Sequence, residues 1–394
     1  MPRPSRKPPP APRRVAVVIE ASNAYARGLL AGIHRHVREH EPWTIFLQEH
    51  GRGAPPLQPL AHWQGDGVIA RIETEAVART LDALRRRHKL AIVDVSAGRL
   101  LDDVPYVETD DAAIARLAAE HFVERDFRHF AFLGDDRFRW SDNRRDAFRA
   151  TVESRGRTVS VFDRGTARRG QRVDDDERIE RWLAGLPKPL ALFACYDIRG
   201  RQALDACRRA GIAVPDEVAV LGVDDDELLC GLSTPPLSSV IPDSRGAGRL
   251  AAAILERLMQ GERLEANEWL LPPLGIATRQ SSDVLAIDDP VVVAAVQFIR
   301  ARACMGIKVQ DVVRELGTSR RILDARFAAR VGHTPHEEIA RQQFRRVEQL
   351  LAETDLPLAT IAERCGFRHV EYMTVAFTRR HGLPPSRWRD ACQA

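Results

Sequence analysis

Between residues 14 and 280 the apolar positions fall into short unbroken runs, separated by stretches in which they recur every three or four residues. Arg14-Val15-Ala16-Val17-Val18-Ile19 opens the series, and an amphipathic stretch through Leu29, Leu30, Ile33 and Val37 follows. Further runs occupy 44–47, 67–70, 90–94, 106–107, 129–134, 190–194 and 218–223. Runs apolar on both faces predict strands buried on both sides, and helices between them predict parallel sheets of βαβ units. This is more chain than one sheet comfortably holds, so two Rossmann-like lobes with a cleft between them are expected. The pattern breaks at Gln280-Ser281-Ser282-Asp283-Val284, and from Pro290 onward every periodic stretch is helical.

Two of those helical stretches repeat one design. Val309–Leu316 ends at Gly317 and is followed by a second amphipathic stretch from Thr318 to Phe327; Leu358–Cys365 ends at Gly366 and is followed by one from Arg368 to Phe377. A glycine at a helix end takes a left-handed conformation at little cost. Short helix, tight turn and second helix make a helix-turn-helix unit, in which one helix braces on the phosphate backbone and the other lies in the major groove. Two such units, linked by a predicted helix over about Pro335 to Glu353, imply a reader of two successive grooves.

Charge supports that division modestly. The net +4 conceals 17 basic against 13 acidic residues in 285–394, five basic and none acidic in 1–14, and 37 against 42 in between. A basic end on an acidic body suits a phosphate-binding module joined to something that is not one. The proline-rich, basic residues 1–13 predict a disordered tail, not a signal peptide, which points to the cytoplasm. No apolar run is long enough for a membrane span. The six cysteines are scattered without a CxxC pair and are expected to be free buried thiols. With no HExxH spacing, no P-loop and no GxSxG elbow, no catalytic constellation or cofactor fingerprint is seen; neither an enzyme nor a metal site is expected.

The segment Ile361-Ala362-Glu363-Arg364-Cys365-Gly366-Phe367, followed by Tyr372, Phe377 and Gly382-Leu383-Pro384-Pro385-Ser386-Arg387-Trp388-Arg389, resembles the DNA-binding signature of the AraC/XylS family, over residues 288–390. The body, 14–282, resembles LacI/GalR-type and periplasmic sugar-binding sensors through Ser22-Asn23-Ala24-Tyr25, Arg144 ahead of Asp146-Ala147-Phe148, and Gly222-Val223-Asp224-Asp225. LacI-type proteins place the DNA domain first. Here it comes last, an order similar to that of the xylose operon regulators of enteric bacteria. The resemblance implies a periplasmic-binding-like sugar sensor followed by an all-α DNA reader. It further implies a homodimeric activator of pentose catabolic genes that binds xylose, double-stranded DNA and RNA polymerase. A repressor, a sensor of another sugar, or a sugar-transport binding protein are the alternatives.

A pentose offers hydroxyls and an apolar ring face, so its pocket needs forked charged hydrogen-bonding groups and an aromatic platform. By the resemblance, Arg144 clamps hydroxyls, Asp224 accepts from them and Asp111 lies near the cleft; Tyr25 and Trp140 are candidate stacking planes. The competing structural readings are a solvated charge run for Arg144 and its neighbours, helix caps for Asp110, Asp111 and the 224–227 acidic run, and core for Trp140. Asp197 is expected to cap a helix and Tyr196 to line the cleft. In the DNA module the expected base readers are Ser319, Arg320, Arg321 and Asp324 in the first unit, and Arg368, His369, Glu371 and Thr374 in the second.

Overall fold

The computed structural model describes residues 12–40, 42–47, 60, 62–162, 175–284 and 289–393. Residues 1–11 of the expected tail lie outside these; Arg13 is not tail but the first residue of a strand. The chain divides into two compact units, Met1–Val284 and Leu285–Ala394.

The first unit holds twelve strands among the described residues: β1 (Arg13–Val18), β2 (Trp43–Leu47), β3 (Gly67–Ala70), β4 (Ala91–Asp94), β5 (Tyr106–Thr109), β6 (His129–Leu133), β7 (Val159–Val161), β8 (Leu190–Ala194), β9 (Val218–Val223), β10 (Ser238–Ile241), β11 (Glu268–Leu271) and β12 (Gly275–Ala277). They form two six-stranded sheets, β11-β5-β4-β3-β1-β2 and β12-β10-β9-β8-β6-β7. All pairings are parallel except β12, which runs antiparallel to β10. The chain therefore passes from one lobe to the other three times, after β5, after β10 and after β11. At the second crossing the Ser244–Met259 helix returns to pack on the Ala24–Glu39 helix. Gly248 permits this, since a Cβ there would lie 2.1 Å from the Leu29 carbonyl oxygen.

The central strands are buried on both faces: all six residues of β9 and all five of β8 are inaccessible. That is the physical content of the unbroken apolar runs.

In the second unit two half-cores follow one plan. Leu323 and Phe327 fill the first, Met373 and Phe377 the second, all four fully buried and each fifty residues on from its counterpart. Such a side chain stabilises by roughly 1.5–3 kcal/mol. The Pro335–Glu353 helix joins the halves and starts with a capping box between Thr334 and Glu337. Both turn glycines are left-handed, Gly317 at φ 58° and Gly366 at φ 78°. Gly366 is doubly constrained, because a Cβ would also meet the Gly306 nitrogen at 2.7 Å. Gln343 ties this junction by donating to the carbonyls of Ala303 (3.2 Å) and Gly366 (3.4 Å).

Candidate functional site

The carboxyl ends of the central strands converge on one narrow cleft lined by Asn23, Tyr25, Arg71, Glu108, Trp140, Arg144 and Asp224. Its empty volume is about 310 Å³, counting the part open to solvent. Arg71 directly follows β3, Asp224 directly follows β9, and Trp140 and Arg144 ride on the helix Arg139–Glu153 after β6. This is where open parallel sheets place ligands.

Each lobe contributes an arginine against an aromatic ring. The Arg71 guanidinium carbon lies 5.4 Å from the Tyr25 ring centroid, and that of Arg144 lies 5.0 Å from Trp140. Both arginines are buried and anchored from behind. Arg144 donates from Nε to Asp111 at 2.8 Å and from an Nη to the Cys195 carbonyl at 2.7 Å. Arg71 donates to Glu73 at 2.6 Å and to Glu20 at 3.4 Å. Burial works against both charges, but Glu73 and Glu20 around Arg71, and Asp111 and Asp224 around Arg144, outweigh it and keep the guanidiniums charged. Among the described residues Arg71 Nε is buried with no hydrogen-bond partner. Glu108 is held well above the usual carboxylate range by burial and by Asp111. Asp224 takes a positive φ of 108°, with its backbone N–H donating to Val240. A side chain held in that region implies a surrounding structure that enforces it.

Several expectations need correction. Asp111 does not line the cleft; its carboxylate holds Arg144 and accepts from Asn143 at 3.1 Å, while Asp110 is the helix cap, accepting from the Ala113 backbone. Asp197 is not a cap: it is the first residue of the Asp197–Arg209 helix after Tyr196, and accepts from Ser239 and the Asp226 backbone. Tyr196 turns from the cleft toward Asp135, 3.3 Å from its hydroxyl. The acidic-run cap falls to Asp226, which accepts from the Leu229 backbone. Trp140 is both core and lining, stacked on Phe138 at 5.0 Å. Arg144 is buried, which removes the solvated-run reading.

In the helical unit the second helix of the first pair is Arg320–Val331, with Ser319 as its N-cap accepting from Ile322. That of the second pair is Val370–His381, so Arg368 and His369 precede it. Arg320, Arg321, Arg368, His369 and Glu371 are exposed. Arg320 pairs with Asp324 at 3.4 Å, and the half-buried Thr374 donates its hydroxyl to the Val370 carbonyl at 2.8 Å. Of the cysteines, Cys195, Cys207, Cys230 and Cys365 are buried free thiols; Cys304 is half-buried, contrary to expectation, and the Cys392 side chain lies outside the description. Among the described residues no helix is long and apolar enough to cross a membrane, and no cluster of three His, Cys, Asp or Glu could hold a metal ion.

Comparison with known proteins then separates the parts. Residues 14–112 match the XylR N-terminal domain, 119–282 a periplasmic binding protein-like domain, and 312–391 a helix-turn-helix domain. The xylose operon regulatory protein of Haemophilus influenzae is 30% identical over 96% of this chain and 98% of its own. The chain belongs to the xylose operon regulatory protein family. The Escherichia coli K12 member is 32% identical over 96% of this chain and 97% of its own. The solved structure of a xylose-binding transcription activator, XylR, superposes with a TM-score of 0.78 at 30% identity, over 97% of this chain and 99% of that one.

Within this family frame, sequence reasoning missed three cleft residues. Arg71 had a usable signal, since it ends an apolar run as Asp224 does. Asn23 stands inside the Ser22–Tyr25 motif but reads as a cap, and does accept from Ala26 at 2.8 Å. Glu108 carries no signal, because a single acid in a short strand ordinarily faces solvent.

Proposed function

We propose that this chain is a cytoplasmic, xylose-responsive regulator that activates pentose catabolic genes as a homodimer in contact with RNA polymerase. The observation that carries the sugar reading is the pair of arginine–aromatic units, one from each lobe, that line one cleft with Asp224, whose charge acts on both arginines. Arg71 and Arg144 fork onto vicinal hydroxyls, Asp224 and Asn23 complete the polar ring, and Tyr25 and Trp140 cover the apolar face. Because the cleft's lining comes from both lobes, a bound sugar bridges them and shifts the population toward the closed arrangement. Arg320, Arg321, Arg368, His369 and Glu371 then read base edges and phosphates through the two helix pairs. The XylR neighbour is described as xylose-binding and as an activator, in agreement with this reading.

Calorimetric titration of the full chain against D-xylose, L-arabinose, D-ribose and D-glucose tests it. Binding of xylose in preference to the others is expected. Preference for another sugar would overturn the xylose assignment, and binding of none would overturn the sensor reading.

A further inference from the structure

The two helix pairs present one unassigned feature in common. Numbered from its N-cap, each second helix puts a charged side chain at the second position, Arg321 or Glu371, and an apolar one at the sixth, Ala325 or Val375. Positions four apart share a helix face. Here that face is opposite the buried pairs Leu323/Phe327 and Met373/Phe377. Ala325 and Val375 are both exposed, and Val375 is 69% accessible, among the most exposed large apolar side chains in the chain. Beside it Tyr372 is 65% accessible. An isopropyl group standing out beside a carboxylate contributes nothing to the half-core beneath it and gains only when a partner removes it from water.

We infer that Val375 is a specificity-determining residue that packs on a thymine C5-methyl group, next to the base read by Glu371. This deepens the DNA-reading role proposed above and rests on it. The thymine methyl is the apolar mark of the major groove, and small apolar side chains are what recognise it. Ala325, one carbon deep, is the weaker counterpart beside Arg321. The two groove segments thus differ: a charged-plus-apolar reader in the second, a predominantly guanine reader in the first.

The test uses the full chain with xylose present. Duplexes are selected from a random library, and each thymine of the second groove segment is then replaced singly by uracil, which deletes only the methyl. One replacement should weaken wild-type binding about fourfold, the scale of one buried methyl group. The same replacement should cost the Val375→Ala variant clearly less, and Val375→Ala should retain its helical circular dichroism because the residue is exposed. Equal losses in both proteins, or no loss at any thymine, would overturn the assignment while leaving the regulator reading intact. Failure to select any duplex would overturn the regulator reading, and the assignment with it.

Discussion

The Asp111 carboxylate accepts from Arg144 Nε at 2.8 Å, with both side chains buried and only Arg144 lining the cleft. On the proposed sugar reading, Asp111 would act on a ligand only through Arg144. Arg144→Ala or Asp224→Ala should weaken xylose binding by about 2–4 kcal/mol, the scale for losing a charged partner in a buried polar site. Asp111→Asn keeps an acceptor for Arg144 and should cost less. The double variant Asp111→Ala/Arg144→Ala should bind no worse than Arg144→Ala, since groups acting in series are non-additive. Calorimetry checks all of these. Unchanged affinity in Arg144→Ala and Asp224→Ala would remove the cleft assignment, and additive losses would make Asp111 a direct ligand.

Burial holds the His121 imidazole down at about 3, with Arg125 adding to the effect; its Nε2 lies 2.9 Å from the Ser282 hydroxyl. The folded chain thus keeps this group neutral where the unfolded chain protonates it, near 6.5. Its contribution to stability is full above that value and is lost as pH falls from 6.5 toward 3, by up to roughly 1.4 kcal/mol per pH unit. Asp94 works the other way, burial raising it to about 7, so that stability is lost as pH rises from 3.8 through 7. The two slopes oppose each other, and only a comparison of variants separates them. Wild type should lose stability faster than His121→Asn as pH falls from 6.5 to 4 in urea titrations. Parallel curves would mean that His121 titrates like an exposed histidine.

Since Leu285–Ala394 is a compact unit with its own half-cores, that fragment should fold alone, be helical by circular dichroism and bind DNA with steep salt dependence. Gly366→Ala places a side chain at φ 78° and against the Gly306 nitrogen. The left-handed backbone alone costs about 1–2 kcal/mol, so a loss of more than roughly 2 kcal/mol is expected once the contact is added. The full-length variant should bind xylose normally, because the cleft belongs to the other unit. A fragment that stays unfolded, or a Gly366→Ala variant as stable as wild type, would contradict this account.

How legible all this was depended on which force fixed each element. β1, β8 and β9 announce themselves because burial on both faces demands unbroken apolar runs. β7, β11 and β12 are short and half-exposed, and β10 begins with two serines, so composition gives no such signal. The Pro335–Glu353 helix was legible to the residue because a capping box and Pro at its start are local chemistry. Within the cleft, Asp224 and Arg144 were found through family motifs, and Arg71 by position was equally available. Asp111 was misjudged for a physical reason: sequence shows that an acid stands at a helix start, not whether its carboxylate faces a ligand or a neighbouring helix's arginine.

The Pro335–Glu353 helix also sets the spacing of the two helix pairs. Nineteen residues at 1.5 Å each give about 28 Å. That approaches the roughly 34–36 Å between successive major-groove faces on one side of B-DNA. The Gln343 bonds to Ala303 and Gly366 brace this spacing from inside the unit. One chain should therefore cover two successive major-groove segments, and a dimer should need two such sites. Hydroxyl-radical footprinting should show protection over two turns per monomer site. Arg321 suits guanine O6 and N7, whereas Glu371 accepts from cytosine N4, so their losses should fall on different bases. Arg321→Ala should relax preference in one turn and Glu371→Ala in the other, each by about 1–3 kcal/mol at the base concerned. Protection of a single turn, or both substitutions relaxing the same bases, would refute the arrangement of two readers on one rigid helix.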